Sequence, residues 1–204
     1  MSESSAGSIY GDADARRRRT LDAAAALLAE GGYSALTIRS VAKRAGTSTG
    51  LIYQYFADKQ DIFMALLNEA IVESMDRIAA MPRDGGVAAL LAAIIDDSAR
   101  RWNQVGRMSA IWRDAEGNAD SDRESLREVH RVAVLYDQQV MRAVTKAAEL
   151  EGRALLDDEG VLPFLLSGLQ GLATTVANNW ASHLDPSELV SFSAEALTRA
   201  ITRK

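Results

Sequence analysis

The sequence predicts an all-α protein in two parts, a three-helix unit carrying a helix-turn-helix at residues 15–60 and a larger helical body at 61–204, preceded by a short tail at 1–14. Three observations predict it. Apolar residues recur at helical spacing through most of the chain, with no stretch of strand-like alternation. Residues suited to helix caps, Thr37, Thr47-Ser48 and Asp58, stand at three successive helix starts. Between them Gly46 separates two short amphipathic runs, as a tight turn between crossing helices requires.

Taken in order, Met1 to Asp14 is Ser-, Gly-, Ala- and Asp-rich and is expected to be a disordered tail. A first helix is expected over Ala15–Glu30, with Leu21, Ala24, Ala25, Leu28 and Ala29 on its apolar stripe and Gly31-Gly32 ending it. Arg16, Arg17, Arg18 and Arg19 then fall in its first turns, where the helix dipole favours acids. They serve either to meet phosphate or as a solvated face. Tyr33 and Leu36 are expected to close a small core. The second helix, Ile38–Ala45, has Ile38, Val41, Ala42 and Ala45 on one face, with Thr37 as its cap and Gly46 as its stop. The third is expected over Thr49–Tyr55 and the fourth from Lys59 to Ala80, opened by Asp58 and ended by Pro82 and Gly85-Gly86.

Further helices are expected over Val87–Asn103, Arg107–Ala115, Asp122–Glu151 and Asp158–Ser182, the last kinked at Pro163. A ninth opens at Asp185-Pro186-Ser187 and ends near Arg203.

Charge is unevenly placed. The whole chain carries a net charge of −5, yet Ala15 to Lys59 holds eight Lys/Arg against three acids, while the chain from Gln60 onward holds 15 against 22. A local basic patch is the electrostatic footprint of phosphate binding, whatever the total charge. The absence of cysteine excludes disulfides, thiolate metal sites and cysteine nucleophiles. His130 and His183 are the only histidines and lack metal-ligand spacing, so no metal site is expected. No nucleophile elbow, phosphate-binding Gly loop or zinc-protease signature is present, and neither an enzyme nor a cofactor is implied. No apolar run reaches the length of a membrane span and the N-terminus lacks a signal-peptide core, so a cytoplasmic protein is expected.

Ala42, Gly46 and Ile52 supply, at fixed offsets, a small residue at a close helix crossing, a turn glycine and an aliphatic anchor. With Thr37-Ile38-Arg39, Val41, Ala45, Ser48, Leu51, Tyr53, Tyr55-Phe56 and Lys59, this pattern resembles the TetR/AcrR transcriptional regulators. The resemblance covers about 50 residues, Arg16 to Leu67. Tyr55 stands where the family often has histidine and Gln60 where it has an acid. What the resemblance implies is a homodimer that reads a palindromic double-stranded DNA operator, more often as a repressor released by a small, largely apolar or aromatic effector. By position, Ser48, Thr49, Gly50, Gln54 and Tyr55 would face the groove, with Gln54 able to contact adenine in bidentate fashion. Thr37, Arg39, Lys43, Arg44 and Lys59 would meet phosphates, and Tyr53 either donates its phenol to phosphate or packs inward.

The last two helices would form the dimer interface, with Leu165, Gly168, Leu169, Leu172, Leu189, Phe192 and Leu197 as candidates. Trp102, Met108, Trp112, His130, Tyr136, Gln139, Asn178 and Trp180 are candidates for an effector pocket, although aromatics and Met at helical spacing also serve simply as core. The alternatives are a helical small-molecule binder or enzyme retaining the DNA-binding format, and a DNA binder without effector.

Overall fold

The computed structural model describes residues 6–101 and 123–203. Among these residues there are eight helices and one pair of two-residue strands, in the order α1 (Ala6–Ala35), α2 (Ile38–Ala45), α3 (Thr49–Ile52), α4 (Lys59–Ala80), α5 (Gly86–Arg100), α6 (Glu124–Leu150), β1 (Ala154–Leu155), α7 (Val161–Ala177), α8 (Pro186–Ile201) and β2 (Thr202–Arg203). The helix expected over Arg107–Ala115 lies outside the described residues. The described chain forms two compact units, 6–69 with 123–129, and 70–101 with 130–203.

In the first unit α2 has the expected bounds because both its ends are set locally. Thr37 and Ser40 form a reciprocal capping box, each side-chain oxygen accepting from the other residue's amide at 3.0 Å. Gly46 closes the helix in the left-handed region at φ 64°. Ser48 caps α3, its Oγ accepting from Leu51 N at 3.2 Å. Helix α3 is shorter than expected, ending at Ile52, and single turns bonded from Leu51 and Ile52 carry the chain to Phe56. Leu21, Ala24, Leu36, Val41, Ala42, Ile52, Phe56, Ile62 and Phe63 are buried together with little or no exposure. Tyr33 stands edge-on to Phe63 with ring centroids 5.1 Å apart.

Helix α1 corrects one expectation. It begins at Ala6, within the segment expected to be a disordered tail, whereas its regular run stops as expected at Gly32 (φ 66°, ψ −165°), beyond which a short second helical piece reaches Ala35. Arg16 to Arg19 therefore lie well inside the helix, where the dipole argument for an external phosphate no longer applies.

The second unit is built on α5. Val87, Leu90, Leu91, Ile94 and Ile95 form its inward stripe at i, i+3, i+4, i+7 and i+8 and are all buried. They pack with Val140, Val144 and Ala147 of α6, Val161, Leu165 and Leu169 of α7, and Val190, Leu197 and Ile201 of α8. Helix α7 does not kink at Pro163. The proline sits in the first turn, where its missing N–H has no intrahelical role. No strand was expected, yet β1 and β2 pair antiparallel, Leu155 opposite Thr202, and tie the chain after α8 to the α6–α7 connection.

Gly46 adopts positive φ with open space around a would-be Cβ, so Gly46→Ala tests backbone strain alone. We expect a loss of about 1–2 kcal/mol in unfolding free energy, read by urea denaturation.

Candidate nucleic-acid interface

The turn at Gly46 and the caps at Thr37 and Ser48 leave one side of the α2–α3 pair turned to solvent. Ser48, Thr49, Gly50, Tyr53 and Gln54 are exposed there, and Tyr55 is half-buried. Tyr53, 57% exposed, does not pack inward. A Cβ built on Gly50 would meet nothing nearer than Ser48 Oγ at 3.9 Å, so the fold itself does not require glycine at this position. Arg39 and Lys43 are exposed on α2 and form no ion pair among the described residues.

The remaining basic candidates have internal roles that spacing could not reveal. Arg44 makes a two-pronged bond to Glu30, Nη1 to Oε2 and Nη2 to Oε1, both at 2.6 Å. The pair joins α2 to α1 and holds the Glu30 carboxyl below its ordinary value, chiefly through the hydrogen bond. Lys59 is half-buried with Nζ 4.3 Å above the Tyr33 ring, an arrangement that fixes the direction of its stem. Arg17 lies 5.5 Å over the ring of Phe56. Arg18 bonds Asp22 and Glu69, both at 2.8 Å.

The start of α4 holds a group that the sequence reading missed. Asp58 Oδ1 accepts from Gln60 N at 2.8 Å and Asp61 N at 3.1 Å, the expected cap. Its Oδ2 takes a bond from Arg123 at 2.7 Å, 65 positions along the chain. Burial alone would push the Asp58 carboxyl up, but the Arg123 bond and the two amides outweigh it and hold the group below its ordinary value. No local pattern marks Arg123 as a partner of Asp58; the pairing exists only in three dimensions.

The dimer and effector candidates are redistributed. Leu165, Leu169 and Leu197 belong to the core of the single chain, and a Cβ on Gly168 would meet Leu197 Cδ2 at 2.9 Å, so these four face inward. The apolar stripes of α7 and α8 thus place Leu165, Leu169 and Leu197 in the core of the single chain rather than on its surface. Leu172 and Leu189 are partly buried, and Phe192 is exposed at 68%. Phe164 and Trp180 are also exposed, at 49% and 69%, and Gly171 has open space around it.

Trp102, Met108 and Trp112 lie outside the described residues. Tyr136 packs on the core, Asn178 donates to Thr174 O at 2.8 Å near the end of α7, Gln139 accepts from Arg142 at 2.8 Å, and His130 is exposed. A cleft of about 440 Å³ between α4 and α5 is lined instead by Arg77, Ala80, Met81, Ala93, Asp96, Asp97 and Arg100. Beside it Asp97 is shared by Arg101, a close two-pronged pair, and Arg77 at 3.6 Å. Burial and the neighbouring Arg77 lower Arg101 to about 10.

The family model described as "Bacterial regulatory proteins, tetR family" matches residues 21–66. The chain is 29% identical to the HTH-type transcriptional repressor KstR of Rhodococcus jostii over 136 residues, 67% of this chain and 63% of that protein. It is 52% identical to the HTH-type transcriptional regulator HbdR of Aromatoleum sp. over 54 residues, 26% and 24% of the two chains. The chain thus spans less than two thirds of the length of these relatives. Among solved structures, the transcriptional regulator FadR from Bacillus subtilis in complex with stearoyl-CoA superposes with a TM-score of 0.62 at 20% identity, over 88% of this chain and 96% of that one. A protein with unknown function from Rhodococcus sp. RHA1 does so with a TM-score of 0.70 at 20% identity, over 92% and 96%. At that identity they show that the fold is shared.

Because the folded protein holds Asp58 below its ordinary 3.8, its contribution to stability is complete above that value and is lost as pH falls through the lower folded value. Asp58→Asn is expected to flatten the acid limb of the stability–pH curve below about pH 4, measured by urea unfolding at stepped pH.

Proposed function

We propose that this chain, which belongs to the tetR family of bacterial regulatory proteins, is a ligand-responsive transcriptional repressor that binds a palindromic DNA operator as a homodimer. The observation that carries the reading is the solvent-facing side of the capped α2–α3 pair. Thr49, Gly50, Tyr53 and Gln54 are presented outward, with the unpaired Arg39 and Lys43 beside them. Such a face has polar side chains for base edges, positive charge for phosphates, and at Gly50 no Cβ to hold the backbone away from the groove. Thr37, Ser48 and Tyr55 flank it, and Lys59 stands at the N-terminus of α4. Arg44, neutralised by Glu30, contributes by bracing α2 and moves to phosphate only if that pair opens. The functional division proposed is DNA binding at residues 15–60, and effector binding with dimerisation at 61–204.

A second subunit would be held by the outward apolar groups of α7 and α8, Phe164, Phe192 and Trp180, with the partly exposed Leu172 and Leu189 at their side. Two copies would present two α3 segments to successive major grooves, about 34 Å apart. Helix α4 contributes Lys59–Glu69 to the first compact unit and Ala70–Ala80 to the second. An effector that binds two states of the second unit unequally would shift the first through this helix and change operator affinity. Support for a small organic effector comes from the stearoyl-CoA held by the B. subtilis FadR structure and the choline held by a regulator from Saccharomonospora viridis that shares the fold.

With roughly eight phosphates neutralised per dimer, affinity for a duplex selected from a random-sequence pool is expected to fall a thousand-fold or more between about 50 and 200 mM salt. Arg39→Ala should weaken all sequences alike and lower the salt slope by about two, one for each subunit, whereas Gln54→Ala should relax preference at one base pair of each half-site by about 1–3 kcal/mol. Fluorescence anisotropy titrations read both, and a flat salt response contradicts the proposal. For the dimer, Phe192→Arg is expected to give a monomer by sedimentation velocity while Leu165→Ala chiefly lowers stability.

A further inference from the structure

Two acids at the start of α4 divide their oxygens in the same way. Asp58 gives Oδ1 to the amides of Gln60 and Asp61 and Oδ2 to Arg123 at 2.7 Å. Asp61 gives Oδ2 to the amide of Ala57 at 3.0 Å and Oδ1 to the hydroxyl of Ser125 at 2.7 Å. Arg123 also lies 3.8 Å from Asp61 Oδ1. Each carboxylate thus shapes the 57–61 turn with one oxygen and is gripped by residues at the start of α6 with the other. The turn carries Lys59, fixed over Tyr33, and leads from α3 into α4.

This arrangement sets a problem for DNA binding that Arg123 solves. A helix N-terminus attracts phosphate, but two carboxylates there compete for its positive end and repel the phosphate. Arg123 offsets one of those charges and fixes the rotamer of the other cap oxygen. We propose that Arg123, with Ser125, is a positioning group for DNA binding: it acts through Asp58 and Asp61 to hold the α3–α4 turn and Lys59 in binding geometry, without itself touching DNA. The inference rests on the DNA-binding reading above and adds residues from a distant segment to it.

The test uses the full-length protein and a fluorescent duplex selected from a random-sequence pool with the wild type. Arg123→Ala is expected to weaken binding about ten-fold at constant salt. Arg123→Lys, which can still reach Asp58, should recover most of the loss. In a double-mutant cycle Arg123→Ala and Asp58→Asn should be less than additive in DNA affinity, since both remove one interaction. Ser125→Ala, a smaller change at the same grip, should weaken binding about three-fold and gives an independent reading if Arg123→Ala loses helical circular dichroism. Wild-type affinity in both Arg123→Ala and Ser125→Ala, or additivity in the cycle, would overturn the inference. The wild-type titration decides the underlying reading by itself: if the wild type shows no salt-dependent binding, both fall, whereas normal wild-type binding with unaffected variants sinks only the role of Arg123.

Discussion

A helix of four residues has no stability of its own in water, because nucleation fixes more backbone than so few hydrogen bonds repay. The α3 segment, Thr49–Ile52, is such a helix, and everything proposed for this protein depends on its being held. It is held by burial on one side, where Ile52 and Phe56 are almost fully covered, and by closure at its start, where Gly46 turns the chain and Ser48 caps the helix. Once the apolar residues point inward, the period of the helix forces Gly50, Tyr53 and Gln54 outward. The proposed recognition face is thus a geometric consequence of the core beneath it.

The same economy governs the charges. The N-terminal segment is basic, but much of that charge is spent on assembly. Arg44 bonds Glu30, Arg18 bonds Asp22 and Glu69, and Arg17 and Lys59 lie over aromatic rings. Most of these pairs are solvent-exposed and contribute little to stability individually. Their effect is directional: they fix which cations lie along the helices and which extend freely, and Arg39 and Lys43 are in the second group. Net charge therefore marks a basic segment without showing which of its cations are engaged within the fold.

Legibility in the sequence followed the range of the interactions. Helix α2 and helix α4 have the bounds expected from Thr37, Gly46 and Asp58, since caps act within four residues of where they stand. The start of α1 is not legible, because Gly7, Gly11, Asp12 and Asp14 give the Ala6–Asp14 segment no helical signature of its own. The stripes of α7 and α8 were found, but an apolar period cannot say which of two apolar faces meets its own chain. Only packing shows that Leu165, Leu169 and Leu197 close on α5, leaving Phe164 and Phe192 outside. The Arg123–Asp58 and Arg44–Glu30 pairs were invisible for the same reason, being long-range in sequence and made of residue types that also serve as ordinary solvated surface.

The central claim is that the outward face of α2 and α3 reads the major groove as two symmetric copies. Dimethyl sulfate protection on a duplex selected from random sequence tests it most directly, because it separates guanine N7 in the major groove from adenine N3 in the minor groove. The account predicts N7 protection in two inversely related blocks whose centres lie about 10 base pairs, or a multiple of that, apart. Protection confined to adenine N3, a single unpaired block, or failure to select any preferred sequence would contradict it.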